Sequence, residues 1–306
     1  MNIRVGIIGF DKIAQDQHLP AIEADPHFDL VAVSTRSGQP PANLPCFAQP
    51  NELFAASKGK IDAVAICTPP GVRYAIARDA IAAGLHVLLE KPPAATLGEI
   101  EDLERQAREA GTCLYAGWHS QHAPAVAPTA RLLKGEEIAK LHISWREDVR
   151  KYHAGQEWIW EPSGFGVFDP GINALSIATR ILPTRLFVRE ARLFIPSNKQ
   201  APIAATMAFA GDALTAEFDW RFDDGEEWAI RIETASGRKI QLCDGGGRLI
   251  VDGAQQLAEE RGEYPSMYAR FAELIAERRV EVDREPLRIV ADAFLVAHRQ
   301  AIEPFT

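Results

Sequence analysis

Gly6-Ile7-Ile8-Gly9-Phe10-Asp11-Lys12-Ile13-Ala14 is the stretch on which the fold turns. Residues 3–8 form a short apolar, β-branched run that stops at a glycine and opens onto an amphipathic segment at 13–24. Strand, tight turn and helix in that order are the setting a dinucleotide-binding fingerprint needs. Gly9 takes the first glycine position and Ala14 the third. Asp11 stands where a glycine would let the backbone approach a pyrophosphate. Two readings follow. In one, Gly9, Phe10, Asp11, Lys12 and Ile13 cradle a dinucleotide, with the Asp11 carboxylate competing for the helix N–H groups and Lys12 offsetting its charge. In the other, the stretch is a plain strand–helix junction capped by Asp11.

Outward from this turn the pattern repeats. Buried strands are expected at 30–34, 63–67, 86–89 and 113–116, helices at 72–83 and 97–110, and a proline-rich connection lies between the second and third strands. Continuous apolar strands separated by helices imply a parallel, doubly wound sheet covered on both faces. Past about residue 122 the rhythm becomes alternating: 141–145, 187–194, 204–209, 214–220, 228–234 and 239–242 read as strands of an antiparallel sheet, with turn signals at Asp223-Asp224-Gly225 and Asp244-Gly245-Gly246-Gly247. Helices are expected at 173–180, 266–277 and 287–300. The fold class is therefore α/β: a Rossmann-type dinucleotide-binding domain over 1–121 and an α+β domain over 122–306.

The second strand ends in Ser34-Thr35-Arg36-Ser37, without the acidic residue that would hold a ribose 2′-hydroxyl, and Asp29 lies at the wrong end of that strand. Hydroxyls and a guanidinium suit a 2′-phosphate, so NADP is the preferred cofactor over NAD. An ordinary surface arginine is the competing reading of Arg36. A net charge of -9 excludes a nucleic-acid surface but leaves room for a local anionic site. The start is too short for a signal peptide or membrane span, and the four scattered cysteines read as reduced structural thiols, so a cytoplasmic protein with no membrane partner is expected. His119 and His122 have metal-like spacing but no third ligand, and no metal is expected.

Cys67-Thr68-Pro69-Pro70 and Glu90-Lys91-Pro92, taken with Gly9 and Ala14, resemble the Gfo/Idh/MocA oxidoreductase family. The resemblance implies a second domain built on a large, open antiparallel sheet through which copies associate as a homo-oligomer. It further implies that Thr68, Pro69, Pro70 and Glu90 line the cofactor and that Lys91 lies near nicotinamide and substrate. Trp145-Arg146-Glu147-Asp148-Val149-Arg150, residues 153–162 and residues 166–175 are similar to the branch of that family acting on L-arabinose and D-galactose. On that likeness the substrate is an aldose oxidised at C1 to the aldono-lactone. The wider family often has a histidine base where this chain has Asn173, as the sugar branch does, which moves the base role to Asp169. Lys91 would stabilise alkoxide character and Asn173 would orient the hydroxyl. His119, Glu147, His153, Trp158 and Trp228 supply the polar groups and flat rings that bind a sugar, although Asp169 is also readable as a helix-entry residue and Trp228 as core. A dehydrogenase for another sugar or polyol, and a non-catalytic dinucleotide sensor, are the alternatives.

Overall fold

The computed structural model describes residues 2–36, 39–56, 58–211, 213–256 and 262–306. It divides into two units, Met1–His119 with Glu263–Arg284, and Ser120–Gly262 with Glu285–Thr306. The first unit opens with β1 (Ile3–Ile8), α1 (Leu19–Ala24), β2 (Phe28–Ser34), β3 (Cys46–Phe47), α2 (Pro50–Ala56) and β4 (Ala63–Ile66). It continues through α3 (Pro70–Ala82), β5 (His86–Glu90), α4 (Leu97–Ala110) and β6 (Leu114–Gly117). All strand pairings in this sheet are parallel, in the order β6-β5-β4-β1-β2-β3. Every residue of β4 is excluded from water, as a strand covered by helices on both faces must be. The strand order reverses between β1 and β4, so the crevice at their carboxyl ends is the place where ligands bind in such sheets.

The local signals of this unit are strong. α4 begins with a reciprocal cap, Thr96 accepting from the Glu99 N–H while the Glu99 side chain accepts from the Thr96 N–H, and ends on left-handed Gly111. The helix expected over 13–24 is interrupted. Residues Ala14–His18 form a π turn, with the Leu19 N–H donating to the Ala14 carbonyl. Pro20 accounts for it: proline has no N–H to give and its ring crowds the carbonyl four residues earlier, so the preceding turn widens.

The second unit contains α5 (Val126–Leu132), β7 (Ile138–Arg146), α6 (Val149–Tyr152), α7 (Phe168–Ile181), β8 (Val188–Pro196), β9 (Ala204–Phe209), β10 (Leu214–Asp219), β11 (Glu227–Thr234), β12 (Lys239–Cys243), β13 (Arg248–Val251) and β14 (Ala254–Gln256). Leu141, Ile143 and Trp145 alternate inward along β7, the period expected of a strand with one face on a core. α7 starts at Phe168, five residues before the expected 173, so Asp169 lies in its first turn; the N-cap is Val167 and makes no side-chain cap. Gly171 belongs there because a Cβ would sit 2.6 Å from the Phe218 ring.

Residues assigned by the sequence to the second domain return to the first. α8 (Glu263–Glu277) and β15 (Val280–Glu281) belong to the first unit, β15 pairing in parallel with β6. Tyr264, Met267, Tyr268, Phe271 and Leu274 make a helical stripe that enters the first core, where Phe271 stacks on Phe28 and Tyr115. The chain then completes the second unit with α9 (Glu285–Val296) and β16 (His298–Ile302). The second sheet runs β14-β13-β12-β11-β7-β10-β9-β8-β16. It is mostly antiparallel, with parallel joints at β7–β10 and β8–β16. The large antiparallel sheet expected is present, and the two parallel joints are an addition to it: α7 lies between β7 and the β8–β10 meander, and β16 arrives after α9. Parallel neighbours need such crossovers.

Candidate functional site

The carboxyl edge of the first sheet gathers the expected cofactor residues. Gly9 follows β1 with φ +83°, and a Cβ there would lie 3.0 Å from the Thr68 nitrogen and 3.1 Å from the Cys67 carbonyl carbon. Only glycine fits, for conformational and steric reasons alike. Phe10 is buried in the hydrophobic core, so it offers a ligand its backbone and not its ring. Asp11, Lys12 and Ile13 are exposed, and Lys12 pairs with Asp16. At the end of β2, Ser34 is buried, Thr35 donates its N–H to the Phe47 carbonyl at 2.9 Å, and Arg36 is exposed. Ser37 lies outside the described residues. Asp29 is exposed, towards the opposite end of the strand.

Thr68 follows β4 and has a buried hydroxyl oxygen without a hydrogen-bond partner among the described residues. Beside it, Pro69 is the N-cap of α3 and Pro70 its first residue. An orphaned hydroxyl on the residue packed against the Gly9 turn at the switch point fits a dinucleotide, which brings acceptor oxygens and asks for close backbone approach. Arg73, almost wholly buried, donates to the carbonyls of Thr68, Glu90 and Pro92. One guanidinium thus ties the turn after β4 to the segment after β5 that carries Lys91.

Glu90 is 3% exposed. Its Oε2 accepts the Lys91 N–H at 2.7 Å, and its Oε1 accepts from the Tyr264 hydroxyl at 2.6 Å. His18 Nε2 lies 3.1 Å from the same Oε1, and His18 Nδ1 lies 2.8 Å from the Tyr268 hydroxyl. Burial pushes the Glu90 carboxyl up, but the hydrogen bond and charge of His18, with the charges of His119 and Lys91, outweigh it and hold the group well below the usual carboxylate range. Burial also opposes a charge on His18. Cys67 and Tyr268, with the hydrogen bond to Glu90, outweigh it and keep the imidazole well above its ordinary range. His119, after β6, packs flat on Tyr264 and its Nδ1 lies 2.5 Å from Glu263 Oε2. Ile13, Gln17, His119, Glu263 and Tyr264 line a cavity of about 340 Å³.

The second unit collects a different set. Glu147 and Asp169, 2% and 4% exposed, each place a carboxylate oxygen 3.9 Å from His153 Nε2. Trp228 donates its indole N–H to Glu147 Oε2 at 2.8 Å and stacks on Trp145 at 5.7 Å, so it belongs to the polar cluster as well as to the packing. Trp220, at 5.1 Å, supports the His153 ring. Asn173 is half-buried four residues after Asp169 on α7, the spacing that shares a helical face. Trp158 is half-buried in the helical turn Glu157–Trp160. Sequence reading gave no role to His18, Arg73, Glu263, Tyr264 or Tyr268. Arg73 reaches carbonyls 5, 17 and 19 residues away, and the partners of the other four lie 72 or more residues away, so no local pattern signals the contacts.

Parallel strands around a glycine turn define a dinucleotide-binding protein, and comparison with known proteins gives the class of reaction. The family model described as the oxidoreductase family with NAD-binding Rossmann fold matches residues 3–118. A galactose 1-dehydrogenase of Pseudomonas fluorescens is 45% identical over 306 residues, 99% of this chain and 98% of that protein. The chain belongs to the Gfo/Idh/MocA oxidoreductases. The crystal structure of a D-galactose-1-dehydrogenase protein from Rhizobium etli is also similar, at 45% identity and a TM-score of 0.93 over 100% of this chain and 98% of that one. A 3-ketoreductase from Actinomadura kijaniata, solved with TDP-benzene and NADP, shares the fold at 20% identity and a TM-score of 0.82 across 100% of both chains. Among the described residues, no helix is long and apolar enough to cross a membrane.

Proposed function

We propose that this enzyme oxidises D-galactose and L-arabinose at the anomeric carbon to the aldono-lactone, with NADP preferred over NAD. The observation that carries the reading is the pair of water-excluded carboxylates, Glu147 and Asp169, meeting His153 beside Trp228. Similarity to a galactose 1-dehydrogenase along nearly the whole chain supports it. Gly9, the backbone of Phe10 to Ile13, and Thr68 to Pro70 would hold the dinucleotide, which when bound accepts the hydride leaving C1. Ser34, Thr35 and Arg36 would meet the 2′-phosphate, at a strand end free of carboxylates. Asp169 takes the proton of the anomeric hydroxyl, and its exclusion from bulk water keeps that proton from competing solvent. Asn173 orients the same hydroxyl. The Lys91 ammonium stabilises negative charge on the anomeric oxygen as the C–H bond breaks. Glu147, His153 and His119 read ring hydroxyls, and Trp158 and Trp228 offer flat faces to the sugar C–H bonds. D-galactopyranose and L-arabinopyranose share their ring-hydroxyl configuration and differ by one exocyclic hydroxymethyl group, so one pocket discriminates between them weakly.

The test is a panel of aldoses and polyols with NADP and NAD, followed by absorbance of the reduced nicotinamide. Galactose and arabinose should lead, glucose should be poor, and kcat/KM should be higher with NADP. Faster turnover of glucose or myo-inositol would overturn the substrate assignment, and faster turnover with NAD the cofactor preference. In the same assay Asp169→Asn should lower kcat by about 10² or more.

A further inference from the structure

The EKP segment rests on ionisable side chains to which the aldose reaction assigns no part. Two neighbouring helical segments of the first unit, the π turn and α8, send polar groups to one carboxylate, that of Glu90 at the end of β5. His18 comes from the π turn and is fully excluded from solvent. Tyr264 comes from α8, as does Tyr268, which closes the far side of the imidazole. The other titratable groups facing the pair are Cys67 after β4, Lys91 itself, His119 after β6, and Glu263 through Tyr264.

The direction of the Glu90 carboxylate matters. One oxygen is occupied by His18 and Tyr264, and the other accepts the backbone N–H of Lys91. Arg73 grips the carbonyls on either side of Lys91, those of Glu90 and Pro92. The peptide groups flanking Lys91 are thus held from below by one anion and one cation. Replacing a buried ion pair by apolar side chains is often neutral for stability, so packing alone gives no reason for this arrangement, whereas a fixed Lys91 backbone does.

We propose that His18 and Glu90 form a positioning pair: the imidazolium fixes the Glu90 carboxylate, and the carboxylate fixes the backbone of Lys91, so that its ammonium reaches the anomeric oxygen. The proposal rests on the reading of Lys91 given above. Without the charge on His18, Glu90 is a buried carboxylate short of compensation. It takes up a proton at a higher pH, and a neutral carboxyl is the weaker acceptor for the Lys91 N–H.

His18→Gln keeps an N–H donor and removes the charge, Glu90→Gln keeps the shape, and the double variant rebuilds a neutral pair. With D-galactose and NADP, His18→Gln should lower kcat about tenfold or more, with cofactor Kd and sugar KM changed less than about twofold. It should also add an acid limb to the kcat–pH profile between about pH 5 and 8 that the unaltered enzyme lacks, since Glu90 now titrates there. The double variant should lose that limb and recover part of the lost kcat. An unchanged pH profile, strictly additive losses in the double variant, or a loss of kcat matched by lost cofactor affinity would each overturn the proposal. Should the variants fail to fold, nitrogen-15 histidine spectra of the unaltered protein decide: His18 should keep its proton through the pH range in which an ordinary imidazole loses it, and a ring that turns neutral in that range overturns the proposal. If the unaltered protein oxidises no aldose with either cofactor, the functional reading fails separately, and those spectra still test the pair.

Discussion

Asp11 shows how far a single side chain bears on binding. It stands at the position where the dinucleotide fingerprint has glycine, and its carboxylate is exposed. A full charge about 4 Å from a phosphate costs about 1 kcal/mol in water and more where solvent is excluded. Exposure selects the smaller figure. Asp11→Gly should therefore tighten NADP binding by roughly fivefold at low ionic strength. At 1 M salt, where the Debye length is about 3 Å, the gain should nearly vanish. A cofactor-fluorescence titration that finds unchanged or weaker binding would mean Asp11 supports the site. His18 and Glu90 carry a second residue-scale consequence, in stability. A carboxyl held below its ordinary range contributes stability that is complete above about 4.5 and is lost as pH falls towards its folded value. An imidazole held above its ordinary range contributes stability complete below about 6.5 and lost as pH rises through its folded value. The pair's contribution is thus largest between about pH 4.5 and 6.5, where both are complete. Thermal scans should show His18→Gln costing most near pH 6 and progressively less as pH rises into the alkaline range. A cost that stays constant from pH 6 to 10 would show that His18 folds neutral.

At the scale of elements, the sequence speaks clearly wherever a local rule suffices. The strand at 3–8 and the helix at 97–110 coincide with β1 and α4, because an apolar run ending in glycine and a capped amphipathic stripe are self-contained signals. The π turn was hidden because a 3.6 period fits residues 14, 18 and 21 whether or not Pro20 widens the ladder. The early start of α7 was hidden because Asp169-Pro170-Gly171 reads as a turn, and only the Phe218 ring shows why a glycine lies inside the helix. The site divides in the same way. Gly9, Thr68, Lys91 and His119 each follow a strand and could be placed at one sheet edge in advance. Tyr264 lies 174 residues from Glu90, and no periodicity encodes that meeting. α8 offers a direct check on packing. Phe271 is fully buried between Phe28 and Tyr115, so Phe271→Ala should cost about 3–5 kcal/mol in urea unfolding. A loss under about 1 kcal/mol would mean that α8 is not integral to that core.

At the scale of the whole molecule, the sequence reading drew one boundary, near residue 121, where the chain needs three. A change of hydrophobic period marks where an alternating sheet begins, but it does not reveal that a later helix goes back. The stripe on α8 is a good amphipathic signal in either unit, and only its partners, Phe28, Tyr115 and His18, assign it. A fragment cut at residue 121 keeps the whole nucleotide-binding crevice yet exposes the aromatic surface that α8 covers, together with the His18–Glu90 pair. Such a fragment should be poorly soluble or should bind hydrophobic dyes. A fusion of residues 1–119 to 263–284 through a short linker should give a cooperative unfolding transition. If the two behave alike, the returning segment is dispensable.

The return of α8 also sets a timetable for synthesis. β1 to β6 leave the ribosome early, but the segment that seals their core is separated from them by the intervening stretch Ser120–Gly262. At about 5–20 residues per second, that stretch alone takes on the order of ten seconds to translate. Throughout that interval the nascent nucleotide-binding unit presents bare aromatic rings and an uncapped buried charge pair. It is then a natural client for a holdase, and codon changes that slow elongation between residues 120 and 262 should lower the yield of folded enzyme more than the same changes after residue 284.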